Sequence, residues 1–288
     1  MKISGFEIGK GRTFVIAEIG GNHEGDFEKA KQMVIEAARA GANAVKFQIF
    51  RADRLVSPHS KLAAYSGASH GEQLQRFKKM EFSIQQYKEL KTLSDQNRVV
   101  FMASVFDPET MEAVDSLLPA YKVASGDLTY VSFLKFLRKR NKPILLSTGA
   151  STFLEIKKIV RLLGKKNLLI LHCICAYPAP IEEMNLNSIP FLRERLGVTV
   201  GFSDHSKGIV CSIAAAALGA SVIEKHFTLD KTLPFGDHKL SVDPAELRQM
   251  VESIRGVEKS LGVRGRVLQK CEKRARNLVR RSLFAAKD

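Results

Sequence analysis

Apolar and polar positions alternate along this chain in blocks: a short run rich in Val, Ile, Leu and Ala, a polar tip, a stretch of helical periodicity, then the next run. Runs of that kind read as strands buried on both faces of a parallel sheet, where no side chain meets water until the strand ends. The predicted strands are residues 13–19, 43–48, 99–104, 120–124, 143–147 and 168–172, followed by the runs 199–206 and 220–227, each apolar at first and ionisable at its tip. The helices between them carry their own punctuation. Asp26 is placed to cap one that runs to about residue 40, and Gly41, Gly164, Gly197 and Gly219 stand where helices should stop. Further helices are expected over about 83–96, from 107, over 130–140 and over 243–261. Eight strands alternating with eight helices point to an α/β protein, a (β/α)8 TIM barrel over residues 1–262, with a doubly wound open sheet as the alternative. Residues 50–82 break the rhythm around Pro58, Gly67 and Gly71, as a lid, a binding loop or a surface excursion would.

The barrel reading changes what the polar tips mean, because parallel strands deliver their C-terminal ends to one mouth. There the sequence places Glu18, Lys46, Gln48, Ser104, Lys122, Ser125, Ser147, Ser203, His205 and His226. Lysines from two strands together with several hydroxyls are the groups that hold a phosphate or a phosphorylated acid. A lysine in a strand can instead snorkel to the surface, but a C-terminal strand end favours a role. A single histidine at such a position is usually a hydrogen-bonded structural residue. His205 and His226, on adjacent strand ends, can share a metal ion that polarises a carbonyl or activates a water. The residues alone thus suggest an enzyme acting on a phosphorylated anion with a divalent metal.

Composition narrows the setting. The chain has 288 residues, 45% hydrophobic and 26% charged, ordinary for a globular protein with a sizeable core. No apolar run approaches the roughly 20 residues that span a bilayer, and the opening residues lack a signal-peptide core, so a cytoplasmic protein with no membrane partner is expected. Cys173, Cys175, Cys211 and Cys271 form no CxxC pair and read as reduced thiols; Cys173 and Cys175 are expected to face opposite ways along a strand, which argues against joint metal binding. The net charge of +15 raises nucleic acid as a partner. From Arg264 to Arg281, however, the basic run has no interleaved aromatics for base stacking, so a solvated or interdomain segment is expected instead. The positive field also suits small anionic substrates.

Seven strings carry a resemblance: AEIGGNHEG from Ala17, AVKFQ from Ala44, YKVASGDLT from Tyr121, PILLSTG from Pro143, LLILHC with YPAP from Leu168, VGFSDHSKG from Val200 and ASVIEKHFTLD from Ala220. In order and content the chain resembles the N-acetylneuraminate (sialic acid) synthase family, from about residue 10 to 262. The resemblance implies condensation of phosphoenolpyruvate with N-acetylmannosamine or a related N-acetylated hexose, giving a nonulosonic acid and phosphate. It also implies a divalent metal, Mn2+ first, with Mg2+ or Co2+ as alternatives, and a homodimer. Carried over residue by residue, it assigns the metal to His205 and His226. Phosphoenolpyruvate falls to Lys46, Ser104, Lys122, Ser125, Ser147 and Ser203, the sugar to Gln48, Asp127, Tyr177 and Asp237, and proton handling to Glu18.

The chain departs from the family pattern around the sugar half. Ala103-Ser-Val-Phe106 stands where STPF is usual, Ile174 and Cys175 replace polar residues, and Pro234-Phe-Gly-Asp237 replaces Pro-Gly-Pro-Asp. The acceptor sugar is therefore left open. Arg281-Ser-Leu-Phe-Ala-Ala-Lys-Asp288 resembles the opening of the antifreeze-like domain that follows the barrel in the family, so residues 263–288 are expected to be a basic segment leading to that absent domain. Two other readings stand beside the synthase: a Schiff-base aldolase using Lys46, Lys122 or Lys225, and a non-catalytic barrel that binds phosphoenolpyruvate or another anion but has lost turnover with its lid.

Overall fold

The computed structural model describes residues 1–55, 70–234 and 236–283. A small antiparallel pair, β1 (Lys2–Ile3) and β2 (Phe6–Glu7), precedes a closed barrel of parallel strands. In chain order these are β3 (Phe14–Gly20), β4 (Ala44–Ile49), β5 (Val100–Val105), β6 (Tyr121–Val123), β7 (Ile144–Ser147), β8 (Leu168–Cys173), β9 (Thr199–Asp204) and β10 (Val222–His226), and β10 pairs with β3 to close the ring. The (β/α)8 barrel is thus the observed fold. Two-residue strands such as β1 and β2 carry no periodicity, and the sequence pattern did not reveal them.

Side chains that alternate along each strand divide the core in two. Val15 and Ala17 of β3, Val45 and Phe47 of β4 and Ile223 of β10 face outward and pack under the helices with residues such as Met33, Leu90, Ile156 and Met250. Phe14 and Ile16, Ala44, Val100 and Met102, Leu145, Leu169 and Leu171, and Val222 fill the barrel's lower interior, and Ile3 and Ile8 plug its floor. One step further up the same inward-facing rows come Glu18, Lys46, Ser104, Lys122, Ser147, Ser203 and Glu224, all buried. The hydrocarbon floor fixes the strands; the polar layer above it is free to do chemistry.

Helix ends follow the predicted punctuation. Asp26 accepts a hydrogen bond from the Lys29 amide and caps Phe27–Arg39, and Ser83, Thr152 and Asp243 form capping boxes for Ile84–Gln96, Phe153–Leu163 and Pro244–Ser260. Of the irregular stretch 50–82, Ala52–Leu55 and His70–Met80 are helical, and residues 56–69 lie outside the described residues. Gly25, at φ +85°, lets the loop after β3 press against the backbone of Lys79 at the end of the second of these helices. Phe235 and residues 284–288, part of the antifreeze-like opening, also lie outside the described residues. Among the described residues no helix is long and apolar enough to cross a membrane.

One expectation fails on elementary grounds. Residues two apart on a strand share a face, so Cys173 and Cys175 were not bound to diverge by alternation. Instead β8 ends at Cys173, which is buried at the mouth, and Cys175 follows in the loop, exposed; both come close to Gly149.

Candidate active site at the C-terminal mouth of the barrel

A cavity of about 510 Å3 opens above the polar layer and is walled by residues from every barrel strand or the loop that follows it. On one side β3 and β4 bring Glu18, Lys46 and Gln48 together. Lys46 Nζ lies 2.7 Å from a Glu18 carboxylate oxygen and donates to Ser104 Oγ at 3.0 Å, while Gln48 Nε2 donates to Glu18 at 3.3 Å. Opposite them, Lys122 donates to Ser147 Oγ at 2.7 Å and to its neighbour Val123 O at 3.1 Å. Ser125 Oγ, in the turn after β6, accepts from the Gly149 amide at 3.0 Å.

Glu224 sits between the two lysines, 3.7 Å from Lys46 and 3.6 Å from Lys122, and accepts a hydrogen bond from Ser203 Oγ at 2.9 Å. Its other oxygen makes no hydrogen bond. Glu224 was not among the residues singled out for the site, although the string Ile223-Glu-Lys-His226 contains the signal: with a period of two, Glu224 and His226 share the inner face and Lys225 takes the outer one. The structure agrees, since Lys225 is absent from the cavity wall and pairs with Asp204 at 3.2 Å on the helix side of the sheet. That placement removes Lys225 as a Schiff-base candidate.

The two carboxylates respond to the same lysines in opposite ways. Burial pushes Glu18 up to about 7, against the pull of Lys46 and with help from the Glu224 charge. For Glu224, burial also raises the pKa, but Lys122 and Lys46 together outweigh it and hold the group well below the usual carboxylate range. Burial lowers Lys122, whereas Glu18 and Glu224 outweigh burial at Lys46 and raise it. The site therefore holds one carboxyl that exchanges its proton near neutrality and one that stays ionised.

The histidines stand at the rim. His205 and His226 have ring centroids 5.4 Å apart, and Tyr177 stacks on His205 at 4.3 Å. Burial lowers both imidazoles, His205 to about 4 and His226 to about 3, so both are neutral at pH 7. His205 Nδ1 lies 2.7 Å from the Ile174 carbonyl, which fixes Nδ1 as the protonated nitrogen and leaves Nε2 with a lone pair. His226 Nδ1 is buried without a hydrogen-bond partner, its nearest acid being Asp237 Oδ2 at 3.4 Å. Asp237 is held from behind: its amide donates to Asn22 Oδ1 at 3.1 Å, and Asn22 Nδ2 donates to Phe227 O and Ser241 Oγ, both at 2.9 Å. Asn22 also lines the cavity and was another residue passed over.

All the residues expected at the site thus meet on one cavity wall except Asp127, which sits in the short turn Ser125–Asp127 and does not line it. Burial nevertheless raises Asp127 to about 6.

The sequence profile of the NeuB family matches residues 33–266. Among similar proteins, the N,N'-diacetyllegionaminic acid synthase of Campylobacter jejuni is 40% identical over 286 residues, 96% of this chain and 86% of that one. The human N-acetylneuraminate-9-phosphate synthase is 34% identical over 287 residues, 96% of this chain and 79% of that one. In three dimensions the sialic acid synthetase of Leptospira borgpetersenii, solved with citrate, superposes with a TM-score of 0.88 at 31% identity, covering 98% of both chains. With a family profile spanning most of the barrel and a relative 40% identical over 96% of this chain, the chain belongs to the NeuB family.

Proposed function

We propose that this chain is a synthase that condenses phosphoenolpyruvate with N-acetylmannosamine or a related N-acetylated hexose to give a nonulosonic acid and phosphate. The observation that carries this reading is the paired Lys46 and Lys122, each bonded to a strand-end hydroxyl and facing a common carboxylate in a cavity of one small-molecule size. Lys46, Lys122, Ser104, Ser125, Ser147 and Ser203 hold the phosphate and carboxylate of phosphoenolpyruvate, while Gln48, Tyr177 and Asp237, toward the rim, meet the sugar.

The donor set at the rim fits a divalent ion. Two neutral imidazoles, one with a free Nε2 and the other with an orphaned Nδ1, are the ligands that Mn2+ accepts, with Mg2+ or Co2+ as alternatives. Among the described residues no group of three or more His, Cys, Asp or Glu side chains is placed to hold a metal ion, so His205 and His226 are the two side chains that would hold it. An ion held there would supply Lewis acidity for the carbonyl of the open-chain sugar. The rest falls to the chain. Lys46 and Lys122 orient the enolpyruvyl group so that its C3 faces the aldehyde. Glu18, which titrates near neutrality, gives its proton in the protonated form to the aldehyde oxygen as the carbon–carbon bond forms. Its carboxylate then takes a proton from the water that adds at C2, after which phosphate leaves by C–O cleavage. Charge at C2 is balanced by the ionised Glu224, already in place before the reaction begins.

Phosphate release from phosphoenolpyruvate, with Mn2+ and a panel of N-acetylated and N,N'-diacetylated hexoses, tests the proposal beside a His205→Ala control. Release that requires both sugar and His205 supports it. No release with any acceptor, although phosphoenolpyruvate binds, would instead favour an anion-binding barrel without turnover.

A further inference from the structure

Lys225 is fully buried, yet the chemistry of the mouth does not use it. On the outer face of β10 its ammonium lies 3.2 Å from Asp204 and donates to the Ser206 carbonyl at 2.5 Å. Asp204, equally buried, accepts from the Ser206 amide at 2.8 Å, from Ser206 Oγ at 2.7 Å and from Ser212 Oγ at 2.6 Å. The contacts of Lys225 tie the end of β10 to the end of β9, that of Ser212 ties the first turns of the helix Val210–Ala217 to it, and those of Ser206 close the turn that leaves β9.

Stability does not account for the arrangement. Taking two opposite charges out of water costs several kcal/mol per ion, and an apolar pair of the same volume commonly does as well or better. Position does account for it. Asp204 and Lys225 are register partners across β9 and β10, one rung beyond Ser203 and Glu224. The next residue on each strand is a histidine of the rim, His205 or His226. The turn that begins at Asp204 is closed by its own carboxylate onto Ser206, so the backbone on both sides of His205 is held, and the same carboxylate holds Lys225, the residue before His226. Two rungs on opposite faces, Ser203 with Glu224 inside and Asp204 with Lys225 outside, therefore lock the strand ends against sliding or splaying just where the imidazoles leave them.

We infer that the buried Asp204–Lys225 pair, with Ser206 and Ser212, is a positioning device that sets the spacing of His205 and His226 and through it the affinity of the rim for a divalent ion. The inference rests on the reading of these histidines as metal ligands, and its test separates the two. Free Mn2+ is titrated into the full chain and followed by electron paramagnetic resonance, with phosphoenolpyruvate binding measured separately by calorimetry. Lys225→Met is expected to weaken Mn2+ binding about 10–100-fold, the range seen when a group supporting a ligand is lost. Phosphoenolpyruvate affinity should stay within about threefold, because the inner rung remains. Ser212→Ala, which removes one bond from Asp204 without leaving a charge unpaired, should weaken Mn2+ severalfold and decides the matter if Lys225→Met does not fold. Mn2+ affinity unchanged in a folded variant, or Mn2+ and phosphoenolpyruvate affinities falling by the same factor, overturns the positioning role alone. A wild-type chain that binds phosphoenolpyruvate but no Mn2+ overturns the metal reading and this inference with it.

Discussion

Glu18 and Glu224 lie on either side of Lys46, and the difference in their proton affinity gives the site its direction. Because Glu18 is raised to about 7, its protonated form is lost as pH climbs through neutrality. If Glu18 is the proton donor, kcat falls on the alkaline side with a midpoint near 7, and Glu18→Gln, which cannot titrate, abolishes that limb and lowers kcat by about 10²–10⁴. A pH–rate profile of the two proteins checks this; an alkaline limb that survives in the Gln variant would move the donor role elsewhere. Lys122 makes a different prediction. Its removal leaves Glu224 buried with a single cation, so Lys122→Met should destabilise the fold by about 3–5 kcal/mol, as breaking a buried pair does. Chemical denaturation reads that loss, and KM for phosphoenolpyruvate should rise in parallel. Glu224 also marks the limit of reading residues from sequence: three ionisable residues in a row hide which of them faces inward until strand alternation is applied.

Strands were the legible elements because burial on both faces leaves a continuous apolar run that ends where the mouth begins, and helices were legible at their caps. What escaped notice had no such signature: β1 and β2 are too short to be periodic, and the Leu74, Phe77 and Met80 spacing of His70–Met80 follows directly on the turn signals Gly67 and Gly71. Asp127 is left off the cavity wall for a related reason, since a tight turn after β6 can aim two polar side chains in different directions and spacing does not say which one enters the cavity. Close approach between elements is likewise invisible in the pattern. Gly201, two residues before Ser203 on β9, has no room for a methyl group: a Cβ there would stand 2.6 Å from Val222 O and 2.7 Å from a Leu171 methyl. Gly201→Ala should therefore push β10 away and destabilise by about 1–3 kcal/mol. A lowered melting temperature with loss of Mn2+ binding would show both consequences at once, since the same push separates His205 from His226.

At the scale of the whole molecule the charge is divided in a way that bears on substrate capture. Residues 263–288 hold nine Lys and Arg against two Asp and Glu, so they supply +7 of the net +15. This segment leaves the barrel from the end of Pro244–Ser260, a helix that runs back from the mouth toward the floor. Glu258, near its C-terminal end, accepts from the Thr13 amide at 2.6 Å, at the very start of β3. Seventeen helical residues span about 25 Å, well beyond the screening length of about 8 Å at physiological salt. The helix Lys270–Val279 is exposed along nearly its whole length and adds no residue to the core. On the proposed function, attraction of the phosphoenolpyruvate anion is then expected from the mouth and not from the basic terminus. A chain ending at Gly262 should melt within about 2 °C of the full chain and keep its KM for phosphoenolpyruvate within about twofold at 0.15 M salt, because neither core contacts nor screened long-range attraction are lost. A clear rise in KM without a change in melting temperature would mean instead that the segment reaches a mouth after all, its own or that of a second copy, and mixing the shortened chain with a catalytically dead full-length variant would tell those two apart.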